Sequence, residues 1–414
     1  MRFNYKAGRR VGVVALFCLL ASSNTYAQQN NVELLERLDS LQQQINELKQ
    51  QLAQTQNQAE ETDAKVEAVA EVIESEPQRV ADTRKTTIGG YGELHYNNLS
   101  AEDPSRDLEE IDFHRFVLFF GHEFNDKTRF YSEVELEHSL VADSGGDTPG
   151  EVELEQAFIE FDLKQSLHAR AGIFLIPVGL INETHEPTTF YGVERNDVES
   201  IIVPSTWWEA GAGINGRLGS DWDWAVALSS GLAMPTSGSN AFRVRSGRQK
   251  VAKALASDGA ITGRLRYLGV AGLQAAVTVQ YQFDPSQVAN DGLDDGTLVE
   301  AHIDYRNRGF GLRALIARWD FSGEAVEAAD ADKQTGWYIE PSYRLNNELG
   351  FYTRYEEIEA ARDQDNFSQW AVGLNWWPTP NVVLKFDYRD RSHDLDSQSG
   401  RDFTGIDLGI GYSF

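Results

Sequence analysis

The stretch LINETHEPTTFYGVERNDVESIIVPST, residues 180–206, sets the carboxylates of Glu183, Glu186, Glu194, Asp197 and Glu199 around His185 and Arg195. Two kinds of chemistry are open to such a set. ETHE places two carboxylates beside one histidine, a thin beginning for a metal site, since a lone imidazole is weak evidence of one. Fixed charges of both signs also sort ions by attraction and repulsion. An enzyme would need a nucleophile beside a histidine, or an acid–histidine dyad. The eight histidines are scattered along the sequence and no serine motif accompanies them. No catalytic residue, bound cofactor or metal is therefore expected. GAGING (Gly211–Gly216) matches G-x-G-x-x-G in letters, but that motif cradles pyrophosphate only between a strand and a helix. Here DWDWAVAL, a second strand, follows, and the glycines instead relieve crowding.

The elements that must position these residues are strands. From Thr86 onward, TIGGYGELHY, LQAAVTVQYQF and VVLKFDY alternate apolar and polar residues at period two. In LQAAVTVQYQF, Leu273, Ala275, Val277, Val279, Tyr281 and Phe283 share one face, and Gln274, Thr278, Gln280 and Gln282 the other. The chain ends GIDLGIGYSF, with Ile406, Leu408, Ile410, Tyr412 and Phe414 on one parity. In water such a terminal strand would be a sticky edge. Short turns are expected at 125–127, 164–166, 218–221, 269–272, 307–309, 346–348 and 378–381. Longer polar stretches lie near 98–110, 140–150, 179–206, 232–259, 284–297, 321–335, 358–366 and 391–402. Seven short turns alternating with eight long loops make sixteen strands, an all-β transmembrane barrel. Closure then pairs the last strand with the first, and lipid takes the apolar face. A soluble β-sandwich would not need so regular an alternation. Aromatic pairs in STWWE and NWWP fit interfacial girdles.

Ahead of the barrel the composition differs. Residues 1–27 read as a signal peptide: Arg2, Lys6, Arg9 and Arg10 precede the apolar run VGVVALFCLLA, and TYA supplies the cleavage site. The run is too short to span a bilayer as a helix. The only cysteine, Cys18, leaves with it, so the mature chain has no thiol chemistry. Cleavage lowers the basic count from 37 to 33 against 64 acidic residues, a net charge of −31 in place of −27. Nucleic acid is thereby an unsuitable partner. Residues 28–78 carry a heptad pattern (Leu34, Leu38, Leu41, Ile45, Leu48, Leu52, then Val66, Val69 and Ile73) that predicts a periplasmic coiled coil, a lone amphipathic helix being the alternative. Pro77 ends it; residues 79–85 are a linker and 86–414 the barrel.

A sixteen-stranded barrel is wide enough for water, so residues 180–206, the third long loop, are expected to fold inward and narrow it. Inward parity puts Glu133, Glu135 and Glu137 of SEVELEH on one wall, joined by Glu153 or Glu155, where a phase change at Glu155–Gln156 suggests a bulge. Later strands turn Arg264, Arg266, Arg313, Arg344, Arg354, Lys385 and Arg389 inward, because a charge facing lipid at mid-depth costs about 2–4 kcal/mol. Acid on one side and base on the other would set up a transverse field; the alternative is that these charges pair and merely solvate the wall. The fourth loop, RVRSGRQKVAK, carries Arg243, Arg245, Arg248, Lys250 and Lys253. It would draw anions to the mouth, hold lipopolysaccharide, or hold neighbouring acidic loops.

AGIFLIPVGL running into the third loop, FYGVERNDV, TGRLRY, GWYIEPSYRL, GFYTRYE, WAVGLNWWPTPNVVLKFDYR and the terminal Phe414 resemble the phosphate-selective porin O/P family over residues 86–414. The resemblance implies a passive outer-membrane channel, commonly a homotrimer, whose best-known members carry phosphate or polyphosphate. It further implies contact with outer-membrane lipid and lipopolysaccharide, and recognition of the terminal strand by the barrel-assembly machinery. The phosphate channels of that family use an arginine ladder and a lysine cluster; here the third loop is acidic and no consecutive ladder is present. Small hydrophilic solutes, with anions such as phosphate among them, are the expected cargo. The N-terminal heptads also resemble those of siderophore porins, which keeps iron-chelate uptake open, and a non-conducting structural or adhesive barrel is the remaining alternative.

Overall fold

A strand with one apolar and one polar face needs two different surroundings, and closing a sheet on itself supplies both. The computed structural model describes residues 85–141 and 150–414, together with the single residue Lys49. The signal peptide, the coiled-coil segment apart from Lys49, and all but the end of the linker lie outside the described residues. The strands are β1 (Thr86–Ala101), β2 (Leu108–Asn125), β3 (Thr128–Glu137), β4 (Val152–Lys164), β5 (Leu167–Leu175), β6 (Trp208–Leu218), β7 (Trp222–Ser230) and β8 (Gly259–Tyr267). They continue as β9 (Leu273–Gln282), β10 (Asp295–Asn307), β11 (Phe310–Ser322), β12 (Lys333–Arg344), β13 (Leu349–Glu359), β14 (Phe367–Thr379), β15 (Val382–His393) and β16 (Phe403–Ser413).

Each strand pairs antiparallel with its sequence neighbours, and β1 pairs with β16 to close a sixteen-stranded barrel. The seam runs from Tyr91 opposite Ser413 to Ala101 opposite Phe403. Beyond it, Gly90 N donates to Phe414 O at 3.0 Å and Phe414 N to Gly90 O at 2.9 Å. The sticky edge foreseen for the terminal strand is thus consumed. All seven short turns fall where the sequence placed them. The first long connection is shorter than expected, residues 102–107, because β1 and β2 keep their alternation further up.

The two faces separate as the periodicity requires. In β9, Val277 and Val279 are 51% and 45% exposed, while Thr278, Gln280 and Gln282 have no exposure at all. In β15, Leu384, Phe386 and Tyr388 stand outside, and Lys385, Asp387 and Arg389 are buried inside. Apolar residues outside and polar ones within is the reverse of a water-soluble core, and suits a barrel wrapped in hydrocarbon. The phase change in β4 is a bulge: Glu133 faces Gln156 but Val134 faces Leu154, which leaves Glu155 as the extra residue. Glu155 and Gln156 are consequently both buried.

The girdle assignments are corrected in part. Trp376 is exposed on the outer face as expected, but Trp377, Trp207 and Trp208 are buried. The Trp207 indole N–H donates to Glu209 Oε1 at 3.1 Å and its ring packs 6.3 Å from Trp319. Trp208 lies beneath the Arg248 guanidinium. The Trp207 indole finds both an apolar contact and a polar partner there, the same needs an interface would meet, whereas the Trp208 indole N–H is buried without a hydrogen-bond partner among the described residues. Trp207 belongs to an apolar cluster at the long-loop end of the lumen. It joins Ile202 and Val203 to Leu232, Met234, Phe242 and Val244 of the next loop, and to Leu298, Trp319 and Ile358 of the wall.

Val277→Arg is expected to lower barrel stability by about 2–4 kcal/mol in lipid vesicles, measured by reversible denaturant unfolding. A change near zero would mean that this face does not meet hydrocarbon.

Candidate pore constriction

Residues 176–207 join β5 to β6 and cross the lumen rather than hanging outside it. Their apolar anchors enter the cluster just described, and their backbone polar groups are met by buried side chains, as burial requires. Asn182 clamps the two ends together: its Nδ2 donates to Ile176 O (2.8 Å) and Trp207 O (3.1 Å), and its Oδ1 accepts from Trp207 N (2.6 Å). A short helix, α1 (Val198–Ile201), carries Glu199. The Glu199 carboxylate accepts from Leu180 N and Ile181 N, both at 2.7 Å, and from the Tyr338 hydroxyl at 2.8 Å. It is an anchor of the loop rather than a group facing solute.

From there the loop meets the wall on many sides. Arg313 donates to Thr189 O (2.9 Å), Asn375 to Phe190 O (3.2 Å) and Lys385 to Gly192 O (2.7 Å). The Lys385 ammonium also sits 3.7 Å over the Phe190 ring, and Val193 N donates to Asp387. On β16 the loop approaches so closely that a methyl group on Gly411 would overlap Pro187, and one on Gly409 would press on Val193. The inward fold expected for this loop is present in these contacts with β11, β14, β15 and β16.

The loop's charged residues do not act as one set. His185 Nε2 lies 3.1 Å from Glu133 Oε1, whereas Glu183 pairs with Arg264. ETHE therefore splits between two walls, and the carboxylates beside His185 are Glu133 and Glu155 of the wall, at 3.1 and 3.8 Å, rather than Glu183 and Glu186. Glu186 is half-buried; its carbonyl accepts from Thr189 N at 3.0 Å and Thr189 Oγ1 at 2.7 Å, and its carboxylate makes no hydrogen bond or ion pair among the described residues. Glu194 Oε1 lies 3.1 Å from His95 Nδ1 and accepts from Asn97. Arg195 holds the loop itself, donating to Thr206 Oγ1 and His185 O. Asp197 accepts from Arg391 at 2.5 Å and from Gln369 at 3.1 Å.

The wall residues all point inward, but nearly every charge has a partner. Glu133 and Glu135 are buried, and Arg115 bridges Glu135 (3.4 Å) and Glu93 (2.8 Å). Glu137, further up β3, is half-buried near the rim. On the basic side, Arg266 pairs with Asp223 (2.8 Å), Arg313 with Asp304 (3.0 Å), Arg354 with Glu340 (3.2 Å) and Arg389 with Asp407 (2.5 and 3.0 Å). Arg344 stacks on Trp377 at 4.0 Å. The expected division into one acidic and one basic wall is corrected accordingly: Asp304, Glu340, Asp387 and Asp407 interleave with the arginines. A buried guanidinium without a counter-charge would carry a desolvation penalty of several kcal/mol, so the carboxylates follow the arginines around the barrel. Their parity was readable in KFDYR and YIEPSYR; their cross-strand register was not.

The fourth loop, residues 231–258, also folds inward, unforeseen from its charge. Arg245 and Arg248 donate to carbonyls at the end of the third loop, Ser205 O (2.7 Å) and Thr206 O (2.5 Å). Arg243 forks onto Asp365 at 2.6 and 2.5 Å, and Lys250 meets Glu151 and Glu153. Burial pulls the Lys250 ammonium pKa down, but its two carboxylate hydrogen bonds outweigh this and hold it above its ordinary value. Of the three roles left open for this loop, the contacts of Arg243 and Lys250 fit the holding of neighbouring acidic segments.

Cavities remain on either side of the partition. At the short-turn end a cavity of about 930 Å³ is lined by Arg266, Arg306, Arg308, Arg313 and Arg344 against Glu183, Asp304 and Glu340. At the long-loop end a cavity of about 380 Å³ carries Arg106, Arg243, Arg391 and Arg401 against Asp365. Both have a basic surplus, although the whole chain carries 64 acidic and 37 basic residues.

The barrel resembles solved outer-membrane porins. The anion-selective porin of Comamonas acidovorans aligns with 80% of this chain and 99% of its own, at 11% identity and a TM-score of 0.56. Pseudomonas putida OprB aligns over 81% and 96%, at 13% identity and 0.53, and the channel DcaP of Acinetobacter baumannii over 80% and 97%, at 13% and 0.52. At such identities these likenesses establish the fold alone. An uncharacterized protein of Aquifex aeolicus is 31% identical over 334 residues, which is 73% of this chain and 74% of that one. Residues 88–414 match the family profile of the phosphate-selective porins O and P, and the chain belongs to that family of outer-membrane channels.

Proposed function

We propose that the chain is a passive channel that favours anions among small hydrophilic solutes, phosphate included. The observation that carries this reading is the basic surplus lining both cavities within an acidic chain. Magnitude decides which charges matter. A fixed charge about 8 Å from a passing ion contributes roughly 2 kcal/mol at an effective dielectric of about 20, but a guanidinium held against a carboxylate largely cancels. Selectivity then rests on arginines in excess of their partners. Arg344, stacked on an indole with no carboxylate in its grip, is one. Arg308, at a turn on the rim, is another. Guanidinium groups suit phosphate and carboxylate by forked hydrogen bonding. Arg354, buried between Glu340 and Glu356, serves instead to hold the wall. The family resemblance supports a homotrimer as the working form.

Reversal potential in planar bilayers under a KCl gradient tests the reading. An anion-side potential is expected, and a strong cation preference would sink it. Arg308→Ala and Arg344→Ala should each move the potential toward cations, whereas Arg354→Ala should leave it unmoved while lowering stability.

The third loop should set the bore. Glu199→Ala strips the acceptor from two backbone N–H groups and one hydroxyl, at about 1–3 kcal/mol for the buried donors left unmatched. Single-channel conductance should rise or become noisy, with circular dichroism reporting an intact barrel. Unaltered conductance would mean that the solute path avoids this loop.

A further inference from the structure

Three of the eight histidines, at positions 95, 114 and 138, lie far apart in sequence yet meet on the inner side of β1–β3. A second bulge brings them together. Glu93 faces Arg115 but His95 faces Asp112, so Leu94 of β1 is opposed by two residues of β2, Phe113 and His114. Bulges re-aim side chains, and this one turns His114 toward His95, with rings stacked 4.6 Å apart at 14°. His138 follows β3 in the left-handed region, at φ 51°. Its N–H donates to His114 O at 3.3 Å, and its ring meets that of His114 edge-on at 5.8 Å.

Both His114 Nδ1 and His138 Nδ1 are aimed at one oxygen, Asp112 Oδ2, at 3.1 and 2.9 Å. Ligands bound at about 2.0–2.1 Å in a tetrahedral array sit roughly 3.3 Å from one another; the two nitrogen–oxygen distances are already close to that, and all three ligand atoms lie within 4.8 Å of one another. Two imidazoles and one carboxylate suit zinc, copper, nickel or iron rather than magnesium or calcium. The side chains of Asp112, His114 and His138 are 20%, 28% and 32% exposed, which gives an ion entry and leaves coordination positions to water. A second carboxylate stands next to them: Glu194 of the third loop, 3.1 Å from His95, with Glu93 3.4 Å from the same ring. With Glu93 matched by Arg115, the carboxylates of Asp112 and Glu194 face the three rings, a setting that favours a divalent cation.

We propose that Asp112, His114 and His138 form a binding site for a divalent transition-metal cation of the zinc and copper class inside the barrel. The alternative is a carboxylate that merely orients two imidazoles by hydrogen bonds, and the two differ in stoichiometry.

Zinc chloride titrated into the purified full chain in detergent, followed by isothermal calorimetry, tests it without reference to conduction. One Zn²⁺ per chain is expected. His114→Gln and His138→Gln, which keep side-chain bulk, should each weaken binding by about tenfold or more, with the barrel verified by circular dichroism. His168→Gln, at the opposite, short-turn end beside Asp162, should leave it intact. Cobalt substitution should give the visible absorption of a site with nitrogen ligands, lost in the same two variants. Absence of saturable zinc binding, or saturable binding that survives both variants, would overturn the proposal.

Discussion

No backbone N–H or C=O can be left open in hydrocarbon, and the ladder between β1 and β16 is where this chain meets that demand. Without it the sheet has two raw edges and no inside. With it, every residue from Thr86 to Phe414 in a strand is assigned either to lipid or to lumen, and the alternation at period two becomes a physical partition. The outer layer is one residue thick and apolar. All else, some of it strongly charged, is driven inward.

That interior then faces its own constraint. Charge placed in a crowded lumen must be neutralised locally, and the arginines of β8–β15 accordingly sit with Glu183, Asp223, Asp304, Glu340 and Asp407. The two inward loops divide the space further. Apolar packing closes much of the long-loop end, hydrogen-bonded anchors such as Asn182 and Glu199 hold the partition, and more basic than acidic side chains line the two cavities beside it.

How much of this was legible depended on the range of the interaction. Strand number, turn positions, the inner and outer faces and the β4 bulge follow from neighbours two residues apart, and Gln280 or Tyr388 declares its side at once. The second bulge at Phe113–His114 was missed because the parity of FHRF is readable in either phase. Trp207 and Trp208 misled because an indole is equally at home in a girdle or under a loop. The fourth loop hid its inward fold: five basic residues outweighed the signal of Leu232, Met234, Phe242 and Val244. Ion pairs such as Arg389 with Asp407 depend on register between strands, which one-dimensional pattern does not encode. The convergence of His95, His114 and His138 is of the same kind.

The two glycines of β16 that make room for Pro187 and Val193 tie distant parts of the chain into a single event. The strand that seals the cylinder presents, on its inner side, a surface moulded to a segment some two hundred residues upstream. Zipping up the seam and seating the partition therefore cannot be independent steps: a loop caught outside would leave a groove on the last strand unfilled, and a loop seated early offers that strand a template.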